Sequence, residues 1–137
     1  MIFMANEEAK RIVLKRKLRR LIRDAEILLL YTPHTLAEHH EASELKIEKI
    51  KFQLELNSLL YDEANDADER KRLEEEEKAL EASLADELQN GLEVLGWLVE
   101  DFKRYGINDR AEELEILQDV RESELEELTG KEEAKAD

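Results

Sequence analysis

The chain is predicted to be all-α: an elongated up-down-up-down helical bundle, coiled-coil-like in texture, with a long third helix. Three observations carry this expectation. Ala, Glu, Lys, Leu and Arg fill 84 of the 137 positions, a composition suited to long helices. The helix-opposing residues are one proline, Pro33, and four glycines at 91, 96, 106 and 130, so the first 90 residues have room for uninterrupted helices. Finally, every strong apolar period lies near 3.6 residues and none alternates.

The first helix is expected over about residues 6–31. Leu14, Leu18, Leu21, Ala25 and Leu28 recur with a 4-3-4-3 spacing, and Ile22 and Leu29 widen the stripe. Lys15, Arg16, Arg19, Arg20 and Arg23 form a basic face on the other side. Thr32-Pro33 should end this helix, because a residue before proline avoids helical dihedrals. Thr35 with Glu38 then matches a capping box. The second helix should occupy 36–64, with Leu45, Phe52, Leu56 and Leu59 on one stripe and Ile47, Ile50 and Leu54 beside it. So broad an apolar arc implies neighbours on two sides. Asp66 and Glu69 repeat the capping-box spacing after a short polar break, which forces an antiparallel hairpin.

The third helix is expected over 67–105, with Leu73, Leu80, Leu84, Leu88, Leu92, Leu95, Val99 and Phe102 along one side. Asn90-Gly91 is a turn signal, yet the leucine spacing passes through it, which favours one long helix with room for a kink near Gly91 to Gly96. Gly106 supplies a stop. Asp109 with Glu112 suggests a third capping box, opening a fourth helix over 109–128 built on Ala111, Leu114, Leu117, Val120, Leu125 and Leu128. Residues 131–137 carry no large apolar side chain and are expected to be a disordered tail. Residues 1–130 thus read as a single bundle without an internal repeat or linker.

Charge is unevenly distributed. The net value is −15, but residues 1–31 carry eight basic and four acidic side chains, leaving the rest at −19. Either the two signs neutralise each other inside the bundle, which needs no further assumption, or each meets a separate partner. With no cysteine there is no disulfide framework, thiolate nucleophile or Cys-based zinc site. The longest apolar run, Ile27 to Leu30, is far too short to span a bilayer, and Met1-Ile2-Phe3-Met4 lacks the apolar core of a signal peptide. A soluble, intracellular and most simply cytoplasmic protein is expected, without membrane association.

Catalytic arrangements are not evident. Ser43, Ser58, Ser83 and Ser123 all fall within expected helices, and neither a phosphate-binding glycine loop nor a nucleophile elbow occurs. The histidines, His34, His39 and His40, cluster with Glu38, Glu41 and Glu44. A di-iron bundle needs Glu-x-x-His on two helices, and residues 36 and 37 are Leu and Ala. A solvated first turn is therefore expected, with no metal and no cofactor. The basic run Lys15 to Arg20 could meet phosphates, but no aromatic residue interleaves it and the remaining charge repels nucleic acid. A solvated helix face is the simpler reading.

The segment Leu92 to Val99 is apolar around most of its circumference, with Glu93 its only charge. Such a helix is central in its bundle or pressed against another chain. Val94, Trp97, Leu98 and Tyr105 are taken as the surplus that meets a partner, with Trp97, the only tryptophan, as anchor. Gly91 and Gly96 would let a partner backbone approach. The function expected is a non-enzymatic helical scaffold or adaptor acting by protein–protein interaction and self-association. The alternatives are an acidic inhibitor that imitates nucleic acid in a basic groove and, third, a metal-binding bundle.

Overall fold

The computed structural model describes the backbone of residues 2–136 and the side chains of residues 6–130. Four helices follow one another: α1 (Ile2–Leu28), α2 (Leu36–Glu63), α3 (Ala67–Arg104) and α4 (Asn108–Ala136). No strand occurs among the described residues. The architecture is the expected all-α up-down bundle, and the third helix, at 38 residues, is the longest. No helix is long and apolar enough to cross a membrane among the described residues. α4, expected to end at 128, runs on to Ala136, so the backbone of residues 131–136 is helical where a disordered tail was expected, and their side chains lie outside the described residues.

Local chemistry explains the boundaries. α1 stops three residues before Tyr31, because Leu30 N–H donates to Ile27 and Tyr31 N–H to Leu28, tightening the chain into turns before Thr32-Pro33. Thr35 and Asp66 are the N-caps of α2 and α3: each accepts from the N–H three residues on, Glu38 at 3.1 Å and Glu69 at 2.7 Å. α3 continues through Gly91 and Gly96 without interruption. It ends in a Schellman arrangement, with Gly106 at φ 74°. There Gly106 N–H donates to Lys103 and Ile107 N–H to Phe102. The third capping box does not form as expected. Because the Ile107 carbonyl already accepts from Ala111 N–H, Asp109 falls inside the first turn of α4.

Consecutive helices pack directly, α1 on α2, α2 on α3 and α3 on α4, while among the described residues α1 and α4 do not pack on one another. The α2–α3 hairpin is the spine. One core cluster joins Ile47 of α2 to Leu84 and Leu88 of α3, with Leu125 and Leu128 of α4 laid against it. A second joins Leu95, Leu98 and Val99 to Ala111 and Leu114 of α4. Ile47, Leu73, Leu88 and Leu95 are fully buried, each contributing about 1.5–3 kcal/mol of apolar transfer. The spine has one buried polar tie, in which Asn57 Nδ2 of α2 donates to the Leu73 carbonyl at 2.9 Å. A directed bond in an apolar seam penalises sliding of α2 along α3.

Candidate functional site

Val94, Trp97, Leu98 and Tyr105 do not form one outward face. Val94 and Leu98 are 6% and 7% exposed and belong to the interior. Leu98 packs in the α3–α4 cluster, because α4 covers more of the α3 circumference than the spacing implied. Trp97 and Tyr105 are 56% and 75% exposed, but two turns apart along α3. Of the two glycines expected to admit a partner, Gly91 is buried and Gly96 is half-buried beside α4. A methyl group at Gly91 would sit 2.8 Å from Ser43 Oγ of α2, and one at Gly96 would lie 3.9 Å from Gln118 of α4. The close backbone approach at Gly91 is therefore internal to the spine.

Trp97 has a different setting from the one expected. It borders a cleft of about 210 Å³ between α2 and α3, lined also by Pro33, Leu36, His39, Lys46 and Val94. A second cleft, of about 230 Å³, opens between the end of α1 and the start of α2, against Leu28, Leu29, Tyr31 and Leu45. Pro33 and Ala42 line both, so the clefts adjoin. Leu28, Leu30 and Tyr31 are exposed at this end of the bundle, and the Tyr31 ring meets the edge of His34 at 5.9 Å. The result is a partly apolar surface around the α1–α2 loop, with an indole at one side and Glu38, Glu41 and Lys46 interspersed. Sequence reasoning missed the loop half of it by continuing the first helix to Tyr31. The available signal was the run Ile27 to Tyr31, whose consecutive apolar residues exceed what one helical stripe can bury.

Polar side chains also line the clefts, Lys46, Glu87 and Asn90 near Trp97 and Glu38 and Glu41 near Tyr31. Ser43 Oγ is buried without a hydrogen-bond partner, pressed towards Gly91. His39 is exposed on the rim, whereas His40 is half-buried beside Glu44, Arg110 and Arg121. Burial is the main influence on His40 and lowers its pKa, which the charge of Glu44 opposes. Nearby, Arg121 of α4 reaches across to Glu44 of α2, with Nε 3.2 Å from Oε1 and Nη2 closer still to Oε2. It also donates to Glu124 at 2.8 Å. Burial disfavours the guanidinium charge, and the two carboxylates outweigh that, raising its pKa. Lys51 Nζ lies 2.9 Å from Glu124 Oε2, an ionic approach without a directed hydrogen bond. These ties join α4 to α2. Among the described residues no three His, Asp or Glu side chains are grouped as metal ligands.

The basic face of α1 is split as well. Lys15 is half-buried and pairs with Glu63 of α2 at 2.6 Å. Arg16, Arg19, Arg20 and Arg23 are exposed and make no ion pair among the described residues. Neutralisation of α1 by the acidic C-terminal part, the simpler expectation, is confined to Lys15 and α2, because α4 lies on the far side of the spine. Comparison with protein-family models, characterised proteins and solved structures finds no match to this chain.

Proposed function

We propose that this protein is a non-enzymatic helical scaffold or adaptor that works by protein–protein contact and associates with itself. The observation that carries the reading is the exposed apolar surface around Pro33 and Ala42, walled by Trp97 and the Leu28–Tyr31 segment. Much of the remaining exterior of the bundle is charged, so this surface is where desolvation on contact yields most. Tryptophan and tyrosine at its margin combine large apolar area with little conformational entropy to lose. The adjoining clefts each suit one or two apolar side chains of a docking segment, as in helix-in-groove recognition.

The test is a capture experiment comparing the wild type with a Trp97→Ser/Leu30→Ser variant as bait. Both substitutions fall on exposed positions, so the variant should keep its helical circular dichroism. Polypeptides retained by the wild type and lost from the folded variant support the reading. Identical retention by both would remove this surface from consideration.

A further inference from the structure

We propose that the outer face of α1 is a self-association site whose occupant is the outer face of α4 from a second copy of this chain. The inference rests on the protein-contact reading above but uses a different surface. α1 carries eight basic against four acidic residues, and α4 four basic against eleven acidic. Among the described residues of one molecule these helices do not pack on one another, and both outer faces are left without a helical neighbour there. On α1, Arg16, Arg19, Arg20 and Arg23 are exposed and unpaired among the described residues, with exposed Ile12, Val13 and Ile27 at either end of the stripe. On α4, Ile116 and Val120 are 66% and 46% exposed and lie one turn apart. Exposed Glu112, Asp119, Glu122 and Glu126 flank them, also without ion pairs among the described residues.

The two faces are complementary in apolar character as well as in charge. Beside Arg19 and Arg23 runs a groove of about 340 Å³ along α1 and α2, with Ile22, Leu56 and Leu60 in its lining. An α4 helix seated there would place Ile116 and Val120 against that apolar lining and its carboxylates beside the arginines. The α1 wall also carries Glu26, which Lys49 of α2 approaches at 3.7 Å, and the far wall carries Glu76 of α3, whose like charge holds the incoming helix towards the two arginines. Two copies can satisfy both faces reciprocally, which closes the assembly. Nucleic acid is a poorer occupant for the same arginines, since the bundle beneath them is strongly acidic and would oppose a polyphosphate.

Sedimentation of the full chain from micromolar to millimolar concentration tests this. The wild type should associate, and a tenfold rise in salt should weaken it by screening the facing charges. An Arg16→Glu/Arg23→Glu variant should associate at least about tenfold more weakly, as the loss and reversal of several rim pairs implies. An Asp119→Arg/Glu126→Arg variant should fail in the same way. Mixing the two variants should restore association, because each then offers what the other lacks. Both remain strongly net negative, so recovery would not reflect general attraction. All four positions are exposed, and unchanged circular dichroism would show that the variants fold. An Arg16→Gln/Arg23→Gln pair, weakened by less than the reversal, gives a second reading of the same contact.

A wild type that stays monomeric at millimolar concentration overturns the proposal. So does association that survives both reversals and disappears with Trp97→Ser, which would move the contact to the cleft surface and leave the protein-contact reading intact. Binding of a DNA duplex by a monomeric wild type, lost on reversing the α1 arginines, would assign that face to phosphates instead.

Discussion

Ser43 and Gly91 form a close approach within the α2–α3 spine, and their chemistry is coupled. The Ser43 hydroxyl is buried without a partner, so Ser43→Ala should be neutral or stabilising by up to about 1 kcal/mol. Gly91→Ala alone places a methyl group 2.8 Å from that hydroxyl, offsetting the roughly 1 kcal/mol of helix propensity gained. With Ala at both positions the nearest remaining neighbours of the Gly91 methyl position are Ile47 Cδ1 at 3.6 Å and Ser43 Cβ at 3.9 Å, both ordinary contacts. The double variant should therefore exceed the sum of the singles. Denaturant unfolding of the four proteins checks this, and strict additivity would contradict it. His40 offers a pH readout at the same scale. Burial, the leading influence, lowers its pKa below the ordinary 6.5, with Arg110 and Arg121 adding to it and Glu44 and Glu41 opposing. The unfolded chain then takes up a proton before the folded one does. Stability from neutral His40 is complete above about pH 6.5 and is lost as the pH falls towards the lowered folded value. A His40→Gln variant should show a shallower stability loss between about pH 7 and 5.5 than the wild type, and parallel profiles would refute the assignment.

At the scale of the helices, termini carried most of the legible information. Thr35 and Asp66 could be read as N-caps because a side-chain acceptor three residues before a glutamate is a purely local device. Gly106 could be read as a stop for the same reason, since only a left-handed residue completes that cap at low cost. Asp66→Ala is expected to cost about 1 kcal/mol, and Gly106→Ala about 1–2 kcal/mol through its positive φ. Chemical denaturation with an unchanged m-value would check both. The reading failed where the outcome depended on which helix covers which. Asp109 had the spacing of a cap, but the backbone leaving Gly106 started α4 one residue earlier. Val94 and Leu98 looked like surplus because how far α2 and α4 reach around α3 is a tertiary quantity, absent from the periodicity of any one helix.

At the scale of the molecule, the four helices form an open array built on the α2–α3 hairpin, with α1 and α4 not in contact among the described residues. The charge asymmetry was plain in the sequence; that it stays largely uncompensated on α1 depends on this topology. The same array brings the α1–α2 loop beside Trp97, joining residues more than sixty positions apart into one apolar surface. No local pattern links Leu30 to Trp97, so only half of the candidate site was visible beforehand. The central claim is that this surface serves contact and not folding. Equilibrium unfolding of Trp97→Ser, measured beside its capture behaviour, addresses it most directly. A half-exposed interface residue should change stability by no more than about 0.5 kcal/mol while capture is lost. A loss of about 3 kcal/mol or more, the cost of deleting a core aromatic, or full capture by the folded variant, would contradict the account.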